Sequence, residues 1–417
     1  MMNLRIALAL VLFAAGCFTR VSEQYACSDD TDCNGGRICG KMKYCVIPDE
    51  LGPDGGEVDD AADPCMTFGS RHFDACSIPR PTGPMSLTIA STYIYDTSTG
   101  TLLDPNNVPS TPPTMMVGDA RVLSVDSFSL AAGATLRVRG SAPLIIAAWG
   151  TLDVSGTIDV SSKDGTAGAG AQPFATPSTF CTTHQSATPP QQGNGGGGGG
   201  GGAMQSNGGA GGRGDNNNGG SAGVGALTAP PLLAAGCAGG KGGDGGGGTT
   251  GGLGGLGGGA IQLTARTSIS IAMTGKIHAG GQGGRPAVGG AGGGGGGGSG
   301  GMIGLESPSL TVTPGAILAA NGGGAGQGGG NGNNRPNQPG QDGKLAAEVA
   351  LGGKENPNGS TGGNGGDGSI SATAAGTGAN DGAGGGGGGG GAGYITIKAM
   401  TRNDSGATFS PVPTIVQ

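Results

Sequence analysis

Aromatic side chains are almost missing from this chain. Phe, Tyr and Trp make up 3% of its 417 residues, with a single Trp, and charged residues make up 12%. An ordinary globular domain carries roughly 25% charged residues. A conventional aromatic core is therefore excluded for most of the length. Lys and Arg are outnumbered by Asp and Glu, giving a net charge of -7. No basic stripe runs through the sequence, which argues against a nucleic-acid partner. Despite 101 Gly, no GK[ST] follows a strand and no βαβ unit surrounds a GxGxxG, so no nucleotide or other cofactor is expected. The three His residues, His72, His184 and His278, lie far apart with no metal-ligand spacing.

What the chain does contain is a recurring set of short apolar-polar-apolar triplets. LII, LDV and IDV begin at Leu144, Leu152 and Ile158; IQL, ISI and IHA at Ile261, Ile269 and Ile277; IGL, LTV and ILA at Ile303, Leu310 and Ile317; a last ITI begins at Ile395. From the second set to the third the offsets are 42, 41 and 40 residues. Such constancy marks a stacked repeat. Phe128 to Leu152 is 24 residues and Leu136 to Ile158 is 22, the length of one turn without insertion. Three short strands per turn predict an all-β fold, a right-handed parallel β-helix of a few rungs across residues 121–417. Alternation along each strand puts the first and third side chains of a triplet inward. Asp153, Asp159, Gln262, Ser270, Thr311 and Thr396 then face outward. Glycines at the corners (Gly133, Gly150, Gly156, Gly275, Gly315) are expected to supply positive φ.

Long glycine-rich insertions leave between the sets, at residues 161–260, 280–302 and 320–394. Two readings are open. Gly-rich chains behave as flexible coil. Alternatively, glycine legs form polyglycine II, with three residues per turn and a rise of about 3.1 Å per residue, aligned side by side because they leave from one corner. Ahead of the repeats, the LTIASTYIYDTSTGTLL stretch (Leu87 to Leu103) reads as a hairpin turning at Thr97–Gly100. Residues 65–120 then serve as a cap, which a stacked repeat needs.

The N-terminus carries an export signal. One positive charge precedes an apolar stretch from Ile6 to Ala15, too short to span a bilayer, which takes about 20 residues. It ends in Ala14-Ala15-Gly16-Cys17, which resembles a lipobox. That resemblance implies removal of residues 1–16, a lipid on Cys17 and a tether over 17–26. Phe18 follows the cysteine, which by analogy implies the outer membrane. Eight further cysteines in an exported chain point to disulfides. Cys27, Cys33, Cys39 and Cys45 are spaced by six in a module over 27–45. Cys65 with Cys76 and Cys181 with Cys237 are the natural remaining pairs, although connectivity is open. Four thiolates on zinc are the rival, but C-x5-C is wider than structural zinc spacings. Residues 46–64 hold seven carboxylates among Gly and Pro and read as a solvated acidic linker.

The GGAGG and GGNGG runs (Gly208–Gly212, Gly362–Gly366) resemble the glycine-rich repeats of PE-PGRS proteins, without the PE domain. The triplet-plus-glycine pattern is similar to glycine-rich β-helix surface proteins and, loosely, to haemagglutinin-type repeats. With the lipobox and Cys-rich module, the whole resembles surface lipoproteins of predatory and social bacteria. The resemblance implies surface location and an adhesive or wall-structural role, with no catalytic residues.

Sites for chemistry are few. In this register Arg137, Asp159, His278 and Leu318 form an outward ladder on the third side, with Asp153 around a corner. A glycan-cleaving enzyme would need such clustered groups, but a stacking pair is the plainer reading. GGNGGDGSI at Gly362 approaches a calcium repeat but has Ser369 where an apolar residue is required, and GGKGGDGGG at Gly239 fails likewise. Arg213-Gly214-Asp215 spells an integrin-binding tripeptide and reads as coincidence. Trp149 with LIIAA is expected to plug the core or an interface. The expected function is a non-catalytic cell-envelope lipoprotein, anchored in the lipid bilayer through Cys17, that contacts a surface glycan or another envelope protein. The alternatives are a polysaccharide-processing enzyme, an ice- or surface-binding polyglycine II protein, and a periplasmic scaffold.

Overall fold

The computed structural model describes residues 68, 70–184, 190–226, 228–330, 337–354, 362–371, 375–380 and 383–416, and the backbone of 38–39 and 45–46. The chain divides into two compact units, Met1–Thr67 and Phe68–Gln417. In the first, Ile38–Cys39 and Cys45–Val46 form a short antiparallel ladder. Cys17, Cys27, Cys33 and Cys65 lie outside the described residues, as does the acidic linker.

The second unit is almost all β, with 28% of the chain in strands and 3% in helix. Its strands stack in three columns of mostly parallel pairs. Ala120–Val125, Leu144–Ala148, Ala260–Ala265 and the starts of Met302–Val312 and Tyr394–Asn403 make the first column. Met85–Leu87, Phe128–Leu130, Thr151–Val154, Ser268–Ile271 and the ends of the same two long strands make the second. Thr92–Asp96, Thr135–Arg139, Thr157–Asp159, Lys276–His278, Ile317–Ala319 and Thr408–Ser410 make the third. The sheets curl so that one side of every column faces a common core. Leu144, Ile261, Ile303 and Ile395 stack there, as do Phe128, Leu152, Ile269 and Leu310, and all of these are buried.

One triplet is misplaced by a residue in the sequence reading. Ile277 pairs with Leu318, not Ile317, so Leu318 lies in the core and Ala319 takes the outward place beside His278. The cause is the corner. Gly315 is followed by Ala316 before the strand begins, whereas Gly275 leads into it directly. A slip of one residue exchanges the two faces of a strand. The corner glycines also divide into two kinds. Gly133 and Gly315 adopt φ of 81° and 94°. Gly150, Gly156 and Gly275 do not adopt positive φ; a Cβ on the last two would meet the carbonyl oxygens of Ala134 and Val154 at 2.3 and 2.5 Å.

Both ends of the stack are blunted. At the N-terminal end Thr101–Leu103, Pro109–Ser110 and Thr114–Val117 turn antiparallel, and proline withholds the N–H groups an added strand would need. Met85–Leu87 belongs to the second column, so the hairpin is made by Thr92–Asp96 and Thr101–Leu103 alone. At the C-terminal end Arg402 occupies the place that follows Leu310 in the apolar column, and its Nε meets Asp404 at 3.1 Å. Arg402 is exposed, and charged side chains on an edge strand discourage further pairing.

The described glycine insertions are ordered by their own peptide groups. Residues 291–301 are typical. Gly293, Gly296 and Ser299 donate to the leg at 237–243; Gly294, Gly297 and Gly300 to 385–391; Gly295, Gly298 and Gly301 to 279–285. The carbonyls of the same leg accept from 196–202, 252–258 and 323–329. Donation therefore rotates through three neighbours with a three-residue period, and six neighbours surround the leg. Side chains have no room here. A Cβ on Gly294 or Gly297 would sit 2.1 Å from the carbonyl oxygen of Gly326 or Gly323. Larger residues recur at every third position on outer legs, as with Leu253 and Leu256 or Ser221 and Val224.

Candidate functional site

Two clusters of ionisable side chains sit on the outward faces of the columns. The first is on the third column, where the register places Arg137, Asp159 and His278 in line. Asp159 Oδ1 accepts from Arg137 Nη1 at 2.9 Å and from Ser161 N and Oγ at 3.0 and 2.6 Å; Oδ2 accepts from Lys163 Nζ at 2.6 Å. His278 Nε2 donates to the Gly343 carbonyl at 2.8 Å, which leaves the Nδ1 lone pair 3.7 Å from Asp159 Oδ1. The row faces away from the core, as alternation requires, yet it is not solvated. Lys163 and the leg ending at Gly343 cover it, and Asp159 is 5% exposed.

Burial pushes the Asp159 carboxyl upward, but Arg137, the Lys163 and Ser161 hydrogen bonds and His278 outweigh it, so it titrates below its usual value. Burial also disfavours the imidazolium of His278 and holds its pKa below normal, with Asp159 opposing. The cluster is a buried charge pair extended by a neutral imidazole. Ser161, Lys163 and Gly343 already occupy the bonding positions that a general acid or base would offer to substrate. Asp153 lies exposed on the second column, paired with Ser129 and Ser270.

The second cluster escaped the sequence reading. On the first column Gln262 and Glu306 face outward and are nonetheless 0% and 3% exposed, because residues 70–80 cross over them. Glu306 Oε2 accepts from the backbone N–H of Arg71 at 3.1 Å and from Gln262 Nε2 at 3.0 Å. Gln262 Nε2 also reaches Ser70 Oγ at 3.1 Å and Thr264 Oγ1 at 2.7 Å, while its Oε1 accepts from His72 Nδ1. The only hint in the sequence is a carboxylate inside the apolar stretch MIGLESPSL, where a solvated strand face and a covered one look alike. Trp149 lies beneath the same segment. Phe68 meets its edge at 5.3 Å, Arg80 lies over its ring at 4.4 Å, and its indole N–H donates to Ser124 Oγ at 2.9 Å.

The other singled-out residues are placed as follows. Cys181 and Cys237 are bonded to each other and buried. Cys76 is disulfide-bonded. Cys39 and Cys45 sit opposite one another in the antiparallel ladder. Among the described residues no group of three His, Cys, Asp or Glu side chains is placed to hold a metal ion. The carboxylates of the two calcium-like fragments serve the glycine legs instead. Asp367 accepts from Gly352 N, and Asp244 from Gly251 N and Lys241. Gly214 of the Arg-Gly-Asp tripeptide is a packing glycine, since a Cβ there would lie 2.2 Å from the Gly196 carbonyl. His184 stacks on Phe180 at 4.1 Å. A cleft of about 660 Å³ opens between residues 176–180 and 230–235, the two stretches that lead into the disulfide.

No family model, curated protein or solved structure matches the chain.

Proposed function

We propose that the three columns form a right-handed parallel β-helix, that the glycine legs form a polyglycine II bundle along its flank, and that the protein is a non-catalytic cell-envelope lipoprotein with a structural or adhesive role. The lipid on Cys17 anchors it in the outer membrane, and the body reaches a surface glycan or another envelope protein. The observation that carries this reading is the stretch 293–299, whose every peptide N–H and C=O bonds to one of six neighbouring legs. Glycine loses more conformational freedom on ordering than any other residue. A chain that commits this much glycine to a fully paired bundle gains a stiff, flat body with small side chains. That suits contact and load better than turnover. Support also comes from the two ionisable clusters, both of which lie under other segments.

Protease shaving of intact cells, with an epitope tag at the C-terminus, tests the location. Loss of the tag from intact cells is the expected result. Protection until the outer membrane is opened would overturn the surface role and leave a periplasmic scaffold. Failure of Cys17→Ser to change membrane fractionation would overturn the lipid anchor.

A further inference from the structure

We propose that residues 70–80 form an acid-released strap over the outer face of the first column, with His72 as its trigger. Besides the buried side chains of Phe73, Ala75 and Ile78, polar contacts hold the strap near both ends. At one end Arg71 N–H and Ser70 Oγ bond to Glu306 and Gln262. Next to these, His72 Nδ1 donates to Gln262 Oε1. At the other end the Pro79 carbonyl accepts from Ser124 Oγ at 2.6 Å, and Arg80 covers Trp149. The Gln262 amide fixes the direction of the His72 bond. Its nitrogen lies within hydrogen-bond distance of the Ser70, Thr264 and Glu306 oxygens and shares its two N–H groups among them, so its oxygen faces His72 and the imidazole must be the donor there. The second ring nitrogen, Nε2, is buried and has no hydrogen bond of good geometry, the Pro231 carbonyl being the acceptor nearest to hand.

The closed strap therefore accommodates a neutral His72 with the proton on Nδ1. A second proton places a cation at the buried Nε2, and a buried charge without a full set of partners is costly. Four groups face the ring. Glu306 on the strand Met302–Val312, the Gln262 bond and the Pro231 carbonyl favour the added proton; Arg71 opposes it. Burial opposes it most and prevails, so the ring holds its second proton less readily than in water. In a released strap His72 is solvated and titrates near the usual value of about 6.5. Release therefore becomes about tenfold more favourable for each pH unit between that value and the lower value of the closed form. Opening uncovers Glu306, Gln262 and the Trp149 ring together. The device is independent of where the protein resides.

Trp149 is the only tryptophan and reports on the strap directly. The full chain is titrated from pH 7.5 to 5.0 while tryptophan emission and far-ultraviolet circular dichroism are followed together. The expected result is a reversible red shift of emission with unchanged dichroism. It should be lost in His72→Gln, whose amide can donate to Gln262 without titrating, and retained in His278→Gln. Hydrogen exchange of the Arg71 amide, corrected for intrinsic rate, should show protection falling over the same range in the unaltered chain, which guards against a misfolded variant. Unchanged emission and Arg71 protection at pH 5.0 would overturn the proposal. So would a shift that survives in His72→Gln, or one that coincides with loss of dichroism.

Discussion

Replacing Gly297 by Ala tests whether the glycine bundle is held as described. The added Cβ would lie 2.1 Å from the Gly323 carbonyl oxygen, well inside the usual carbon–oxygen contact. The leg at 320–329 must therefore move by about an ångström, because packed interiors hold no such void. The bonds that suffer are Gly297 N to Gly388 O at 2.9 Å, Gly323 N to Gly298 O at 2.8 Å and Gly390 N to Gly323 O at 2.8 Å. At about 1 kcal/mol net for each, their weakening costs about 3 kcal/mol. The lower entropy of an unfolded chain carrying Ala returns about 0.4–1 kcal/mol. A net loss of about 2–3 kcal/mol is expected. Gly246→Ala is the control. A Cβ there meets nothing closer than 3.4 Å, so the entropy gain stands alone and stability should be unchanged or slightly higher. Denaturant unfolding followed by circular dichroism gives both values. Equal stability of the two variants would refute the ordered bundle and restore the flexible-coil reading.

Further expectations concern the buried charges and the crosslink. Asp159→Ala leaves Arg137 and Lys163 facing a buried gap and should cost about 3–5 kcal/mol, read from chemical denaturation at pH 7. The pH dependence follows from the signs of the shifts. His72 and His278 have folded pKa values below 6.5, so the folded state binds fewer protons than the unfolded one and stability falls as pH drops below about 6.5. Asp159, lowered from 3.8, adds stability above that value that is lost as pH falls through its folded pKa. Tyr394 donates to the Ala226 and Thr228 carbonyls, and burial pushes its pKa up to about 12. Stability should therefore decline between pH 10 and 12, and Tyr394→Phe should lessen that slope in thermal melts, leaving the share of Tyr95, whose pKa burial also raises. Removing the Cys181–Cys237 bond, which spans 56 residues, should cost about 4 kcal/mol in the chain-entropy view. An unchanged melting temperature in the double Ser variant would contradict this.

Much of the stacking was legible in the residues. Leu152 over Phe128 and Ile158 over Leu136 follow from turn length and a period of two, and the pairs stand in register. Leu318 was not legible, because Gly-Ala at the 315–316 corner and Gly alone at 275 both end an apolar turn acceptably. Asp159 was recognised as outward-facing but not as buried. Alternation gives direction relative to the core, and only the fold says what lies on the other side.

The sequence alone determines the three-strand rung, the inward columns of Leu, Ile and Val, and the places where glycine leaves the stack. These depend on local periodicity and on sterics within a few residues. Tertiary structure alone decides that glycine legs far apart in sequence become one another's hydrogen-bond partners. It also decides that Glu306 and Gln262 lie beneath residues 70–80. Peptide groups are the same at every position, and a covering segment 190 to 235 residues away leaves no trace in the strands it covers.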